Sequence, residues 1–118
     1  MALNMGGNMS FNHQETYNAF KDLVNMSPSA IEKWLETEES HEVGFVKDGA
    51  KESQGRKSAK KIIEIKRKHK ADLTEEDFEH MSKVISYIKR HLAQKPSKDI
   101  EETPWRYSLK NWGHEPLH

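Results

Sequence analysis

The sequence predicts an all-α fold, a small bundle of four to five helices with a central basic helix. Apolar residues recur at helical spacing in several segments, capping residues precede these segments, and no segment shows a convincing strand-like alternation. The 118 residues, 34% hydrophobic and 32% charged, suffice for one domain with a modest core. We expect a flexible lead over residues 1–11, a single helical domain over residues 12–114 and a tail over residues 115–118.

The first predicted helix covers about residues 13–25, where Tyr17 and Phe20 begin an apolar stripe at helical spacing. A shorter second helix follows, since Ser27 can cap it and Pro28 is tolerated in a first turn. We expect this helix to end in an acidic run at residues 36–39.

A loop is predicted over residues 41–55, which contain three glycines and show no sustained period. Within it we expect a short extended stretch over residues 43–46. The loop separates an acidic first part of the chain from a basic segment.

This block of positive charge lies inside a chain whose net charge is zero. Ten lysines and arginines and only three acidic residues lie between Val46 and Ala71, whereas the flanking parts of the chain are both acidic. The protein is therefore strongly dipolar. A basic element of this kind indicates binding to a polyanion, of which nucleic acid is the most common.

The third predicted helix, over about residues 56–69, carries this charge. Three isoleucines fall on one side of its helical wheel, and basic residues form an arc on the opposite side, interrupted only by Glu64. We therefore expect the basic arc to face solvent and contact phosphates, assisted by hydroxyl and N–H groups at the start of the helix. The candidate nucleic-acid-binding residues are Ser53, Gly55, Arg56, Lys57, Ser58, Lys60, Lys61, Arg67 and Lys68.

The fourth predicted helix, over about residues 74–94, is the strongest in the chain. Residues 74–77 resemble a capping box, and the apolar residues that follow occupy about a third of the helix circumference. The short turn over residues 70–73 would suit a helix-turn-helix motif. However, the second helix of that motif would present an acidic N-terminus to phosphates, so the third helix is the better candidate to touch DNA.

A last short helix is predicted to begin at Thr103 and to end at Gly113. It carries Trp105, Tyr107 and Trp112 within eight residues. We favour an interpretation in which this aromatic helix packs back onto the domain as core. The alternative is a surface on which the bases of a single strand stack.

Several sequence blocks resemble the domain of unknown function 3140 family, small proteins found in bacteria and fungi. These blocks are residues 34–40, 52–55, 58–65, 71–77, 91–96 and 105–114. The resemblance covers most of the chain beyond about residue 12, and it implies no established activity, although some members are labelled DNA-binding. Where the family pattern would have Ser-Gly-Arg-Arg, this chain has Ser58-Ala59-Lys60-Lys61. Because lysine lacks the bidentate geometry of arginine, we expect low or no sequence specificity.

No catalytic motif such as GxSxG, GxxxxGK[ST] or HExxH occurs in the sequence, and we expect no enzyme activity and no cofactor. Without cysteine there is no thiolate metal site, and His80 and His91 lie about 16 Å apart along one helix, so we expect no metal. We find no secretory signal and no membrane-spanning run. We therefore expect a cytoplasmic protein, associated with the nucleoid, or nuclear in a eukaryote.

Taken together, these observations predict nucleic-acid binding, with DNA favoured, through neutralisation of phosphates. Two alternatives stay open. The basic face can be an ordinary solvated surface whose cations pair with the chain's own acidic residues. It can also belong to a protein-interaction module that docks an acidic partner or self-associates.

Overall fold

The computed structural model describes residues 5–43, 52–97 and 99–117 of the chain. In these residues it contains six α-helices and no strand, which confirms the predicted all-α class. The helices are α1 (Met5–Leu23), α2 (Pro28–Leu35), α3 (Glu38–Glu42), α4 (Gln54–Arg67), α5 (Glu75–Leu92) and α6 (Pro104–Asn111), with a 3₁₀ turn (Lys70–Asp72) between α4 and α5.

Hydroxyl side chains fix where most of these helices begin. Each accepts a hydrogen bond from the backbone N–H three residues further on, and thereby satisfies a donor that has no partner inside the helix. The capping residues are Ser27, Thr37, Ser53, Thr74 and Thr103. At Thr74 the side chain of Asp77 returns a bond to the cap N–H, so the predicted capping box is present.

Two local predictions were wrong or incomplete, and a third falls largely outside the described residues. α1 begins at Met5 rather than near residue 13, so most of the predicted flexible lead is helical. α2 ends at the acidic run as predicted, with Glu36 as its C-cap, but the run also starts a helix that was not predicted: Thr37 caps α3 and places Glu38 and Glu39 in its positive first turn. Apart from Val43, the predicted extended stretch lies outside the described residues, as do Lys47 and Lys51 of the basic block.

The core forms where α5 packs against α1 on one side and against α4 and α6 on the other. α2 completes it by packing on both α4 and α6. Each of these five helices supplies a fully buried large side chain: Phe20, Ile31, Ile62, Met81, Ile88 and Leu109.

The aromatic residues of the last helix lie against α5. Trp105 and Trp112 are buried, and the indole N–H of Trp105 donates to the carbonyl of His91 at 2.8 Å. The ring of Trp112 stacks on that of Tyr87 with centroids 4.2 Å apart. These contacts leave both indoles unavailable for stacking on bases, and they position α6 beside the second half of α5.

The chain after α6 is held against the domain further than predicted. Gly113 adopts φ 83°, a conformation that glycine tolerates, and this turn directs Glu115 back to the helices. Arg106 binds the Glu115 carboxylate in a bidentate pair at 2.9 and 2.6 Å, and Asn25 bonds its backbone. Glu115 is therefore part of the packed domain and not of a free tail.

Candidate nucleic-acid interface

The structure divides the predicted basic arc of α4 into three groups. Lys57 is exposed and makes no ion pair with any of the described residues. Four further cations hold carboxylates: Lys60, Lys61, Arg67 and Lys68. Arg56 is buried. Charge that the sequence predicts for phosphate is thus largely paired within the protein.

Lys61 and Lys68 converge on Asp77, which is fully buried at the start of α5. Their ammonium nitrogens lie 3.1 and 2.7 Å from its two carboxylate oxygens, and the Thr74 N–H adds a bond at 3.0 Å. Burial alone would raise the pKa of Asp77, but the bonds from Lys68, Thr74 and Lys61 outweigh it and hold the pKa below its usual range. These two lysines therefore join α4 to α5.

Lys60 and Arg67 are exposed, and each holds a carboxylate. Lys60 lies 2.7 Å from Glu52, which is only partly exposed and also lies 3.5 Å from Nε of the buried Arg56. Arg67 donates two hydrogen bonds to Glu32 at 2.8 and 3.0 Å, and the hydrogen bond lowers the pKa of Glu32. Because both members of the Arg67 pair are exposed, this pair contributes only about 0–1 kcal/mol.

Arg56 occupies a buried polar network and does not face solvent, so its predicted exposure is wrong. It is 8% exposed, and its guanidinium donates to the Leu35 carbonyl at 2.8 Å and to the Ser40 hydroxyl at 2.7 Å. The Ser40 hydroxyl in turn donates to the Asn111 side-chain oxygen at 2.6 Å, which also accepts the Trp34 indole N–H at 2.7 Å. Side chains of α3 and α6 thus enclose the Arg56 guanidinium.

The three small residues predicted beside Arg56 are buried as well. Ser53 is used as the cap of α4, and its hydroxyl already accepts the Arg56 N–H. Gly55 lies so close to α6 that a Cβ there would come within 3.1 Å of the Trp112 indole nitrogen. Ser58 faces α5, where its hydroxyl oxygen lies 2.9 Å from Nε2 of His80. Ser53 therefore caps α4, and Gly55 allows α4 to pack closely on α6.

The buried network draws on two of the blocks that carry the family resemblance. Trp34 and Ser40 come from residues 34–40, and Asn111 comes from residues 105–114. Distant parts of the chain meet here through side chains that satisfy one another. In this structure the two blocks join α2 and α3 to α6.

The second half of α5 provides a cationic surface that the sequence reasoning missed. Lys83, Lys89 and Arg90 are exposed and form no ion pairs with other residues of the described chain. The signal was present in the sequence, because no acidic residue occurs between Glu79 and Asp99. This second cluster was overlooked because α4 carries more positive charge.

Lys83 lies with Lys57 at the junction of the two helices, and Arg90 lies further along α5. A cavity of about 360 Å³ is lined by Lys57 of α4, Lys83 of α5 and Trp112. Tyr87, which stacks on Trp112, lines a neighbouring depression together with Arg90. Lys89 and Arg90 border a third depression. We call the set Lys57, Lys83, Lys89 and Arg90 the cationic surface.

Other kinds of site find no support in the part of the chain that the structure describes. No three His, Asp or Glu side chains within it are placed to hold a metal ion. None of the described helices is both long and apolar enough to cross a membrane.

Comparison with known proteins gives one match. Residues 19–110 match the model of a family described as protein of unknown function (DUF3140). Neither a curated protein nor a solved structure matches the chain.

Proposed function

This chain belongs to the DUF3140 family, whose description assigns no function, and on that premise we propose that it binds nucleic acid through the cationic surface. The target is the phosphate backbone, with DNA favoured and with low or no sequence specificity. The observation that supports the proposal is the cationic surface itself: four exposed cations from two packed helices, none of them paired with a carboxylate of the described residues.

Unpaired cations favour phosphate binding more than the paired ones do. Duplex DNA carries one charge per about 1.7 Å of its axis, and each phosphate that a cation neutralises releases counterions. A cation already bound to a carboxylate must first give up that interaction, whereas Lys57, Lys83, Lys89 and Arg90 have none to lose. Three of the four are lysines, which contact phosphate as point charges and do not read bases bidentately.

α4 contributes fewer phosphate contacts to this binding mode than its charge suggests. It supplies Lys57 directly and Lys60 after exchange of Glu52 for a phosphate. Lys61 and Lys68 remain on Asp77, because that carboxylate is buried and its loss of partners would be costly. The basic helix thus serves first to hold α5 in place and second to extend the surface.

The acidic start of α5 disfavours the usual helix-turn-helix docking. In that arrangement the N-terminal residues of the second helix contact base edges in the major groove. Here the exposed N-terminal part of α5 carries Glu75, Glu76 and Glu79, which phosphates repel. We therefore propose that the basic C-terminal half of α5 lies along the phosphate backbone of the DNA.

The test is fluorescence anisotropy of labelled duplex and single-stranded DNA at about 50 and about 200 mM salt. We expect micromolar binding at low salt that falls steeply with salt. The variant Lys89→Gln/Arg90→Gln should weaken binding about tenfold and reduce the salt slope by about one to two. The matched control Lys21→Gln/Lys33→Gln removes the same charge from exposed positions on α1 and α2 and should bind nearly as the wild type does.

Two results would contradict the proposal. Equal losses in the two double variants would mean that total charge, and not this surface, drives the interaction. Absence of binding to either DNA at 50 mM salt would remove nucleic acid as the target. The alternative function, docking of an acidic protein or of a second copy, would then take its place.

A further inference from the structure

The cavity between α4 and α5 contains a buried serine next to a histidine. Ser58 is 4% exposed, and its hydroxyl oxygen lies 2.9 Å from Nε2 of the partly buried His80. Burial, together with the charge of Lys83, lowers the pKa of His80. Burial thus disfavours the charged ring. In the neutral tautomer that carries its proton on Nε2, the ring donates to the Ser58 hydroxyl oxygen, and the hydroxyl proton is then available to a ligand oxygen.

Three lysines line the same cavity, Lys57, Lys61 and Lys83, and the ammonium of Lys61 is held by Asp77. Two carboxylates, Glu76 and Glu79, border it as well, and they are as exposed as Lys57 and Lys83, so the rim carries both signs of charge. The charge that acts most on His80 is nevertheless that of Lys83. The cavity therefore offers a buried hydroxyl and a partly buried imidazole, with a cation acting on the imidazole. Such a combination of hydrogen-bonding groups and positive charge suits a compact oxyanion.

The placement of Ser58 favours binding over catalysis. Ser58 is the fifth residue of α4, so its backbone N–H is committed to the helix and cannot stabilise an oxyanion. A nucleophilic serine normally needs such donors beside it. The Ser58–His80 pair is better suited to hold a ligand oxygen than to attack one.

We propose that this cavity binds a phosphate monoester group, with Lys57 and Lys83 as its cationic ligands and Ser58 and His80 at its base. A phosphate monoester carries up to two charges and three free oxygens. Because it is a terminal group, it can enter a recess. An internal phosphodiester is linked to the strand on both sides, so it stays at the protein surface. The monoester can come from two sources. If it is the 5′-phosphate of a nucleic-acid strand, the inference rests on the proposed function. The other source is a free phosphate compound.

The direct test follows the imidazole ¹⁵N and ¹H signals of His80 by NMR during titration with inorganic phosphate. We expect saturable shifts at His80 in the wild type. Lys57→Gln/Lys83→Gln should weaken the apparent affinity about tenfold or more, since it removes two charge-assisted contacts. Both residues are exposed, so this variant should remain folded. Lys33→Gln, exposed on α2 and outside the cavity, should bind phosphate as the wild type does.

A second measurement distinguishes the two sources. Anisotropy compares a 5′-phosphorylated strand with the same strand ending in a hydroxyl, at about 200 mM salt. A preference of about tenfold for the phosphorylated strand, lost in Lys57→Gln/Lys83→Gln, would support a strand end as the ligand. Saturable phosphate shifts without any strand preference would support a free phosphate compound. If His80 does not respond to phosphate and the two strands bind equally, the proposal is overturned. Salt-dependent binding of the hydroxyl strand would still leave the proposed function standing.

Discussion

Replacing Arg56 with alanine tests whether this residue holds the fold or contacts phosphate. Its guanidinium makes two short bonds to buried acceptors, 2.8 Å to the Leu35 carbonyl and 2.7 Å to the Ser40 hydroxyl. Hydrogen bonds to charged groups contribute about 1.5–3 kcal/mol each. The truncation leaves the Leu35 carbonyl without this partner, although Ser40 still donates to Asn111. We therefore expect Arg56→Ala to lower the free energy of unfolding by about 3–5 kcal/mol.

Urea unfolding followed by tryptophan fluorescence measures this loss, since Trp34 belongs to the same network. Domains of this size are stable by about 5–15 kcal/mol, so the variant should unfold at a clearly lower urea concentration with an unchanged m-value. The control is Lys57→Ala, one residue further along and exposed. It should change stability by no more than about 0.5 kcal/mol.

One combination of results would refute this reasoning. If Arg56→Ala cost less than about 1 kcal/mol while weakening DNA binding as strongly as Lys57→Ala does, the guanidinium would be a surface ligand. The original prediction from the helical wheel would then be right, and the buried network would be unimportant for stability.

Two further predictions concern the helix junctions. Because the pKa of Asp77 is depressed in the folded protein, its contribution to stability is present above the unfolded-state value near 4 and is lost as the pH falls towards the folded-state value. Asp77→Asn should therefore lower the unfolding free energy at pH 7 and flatten its decline between pH 5 and pH 2, and urea titrations at several pH values that show an undiminished decline would argue against this. Gly113→Ala should cost about 1–3 kcal/mol, because φ is 83° and the added Cβ would lie 2.8 Å from Val24 Cγ1. A loss below 0.5 kcal/mol by urea unfolding would show that the turn relaxes freely.

Three helix starts could be predicted from a local signal, although the equally local caps Thr37 and Ser53 were missed. Ser27, Thr74 and Thr103 each precede a helix as the sequence indicated, because a cap is a bond between a side chain and an N–H three residues away. The start of α1 could not be predicted. Residues 5–12 show no comparable apolar period, and intrinsic propensity is only a weak guide there.

The candidate site was predicted less well, because exposure depends on what the rest of the chain covers. The helical wheel places Arg56 with the lysines of α4, but it cannot show that side chains of α3 and α6 enclose its guanidinium. Nor can it show that Lys61 and Lys68 meet Asp77 of the next helix. Such pairings join residues that helical periodicity within α4 does not relate.

The sequence by itself determined the all-α class, the apolar stripes and the concentration of positive charge, since each is a property of neighbouring residues in one segment. Only the tertiary structure decided which of those charges remain free. Packing of α4 on α5 brought Asp77 to Lys61 and Lys68, and packing on α6 buried Arg56. The same packing set Lys57 beside Lys83 around one cavity. Charge is carried by residues, whereas its availability to a ligand is set by which partners the fold brings within a few ångströms.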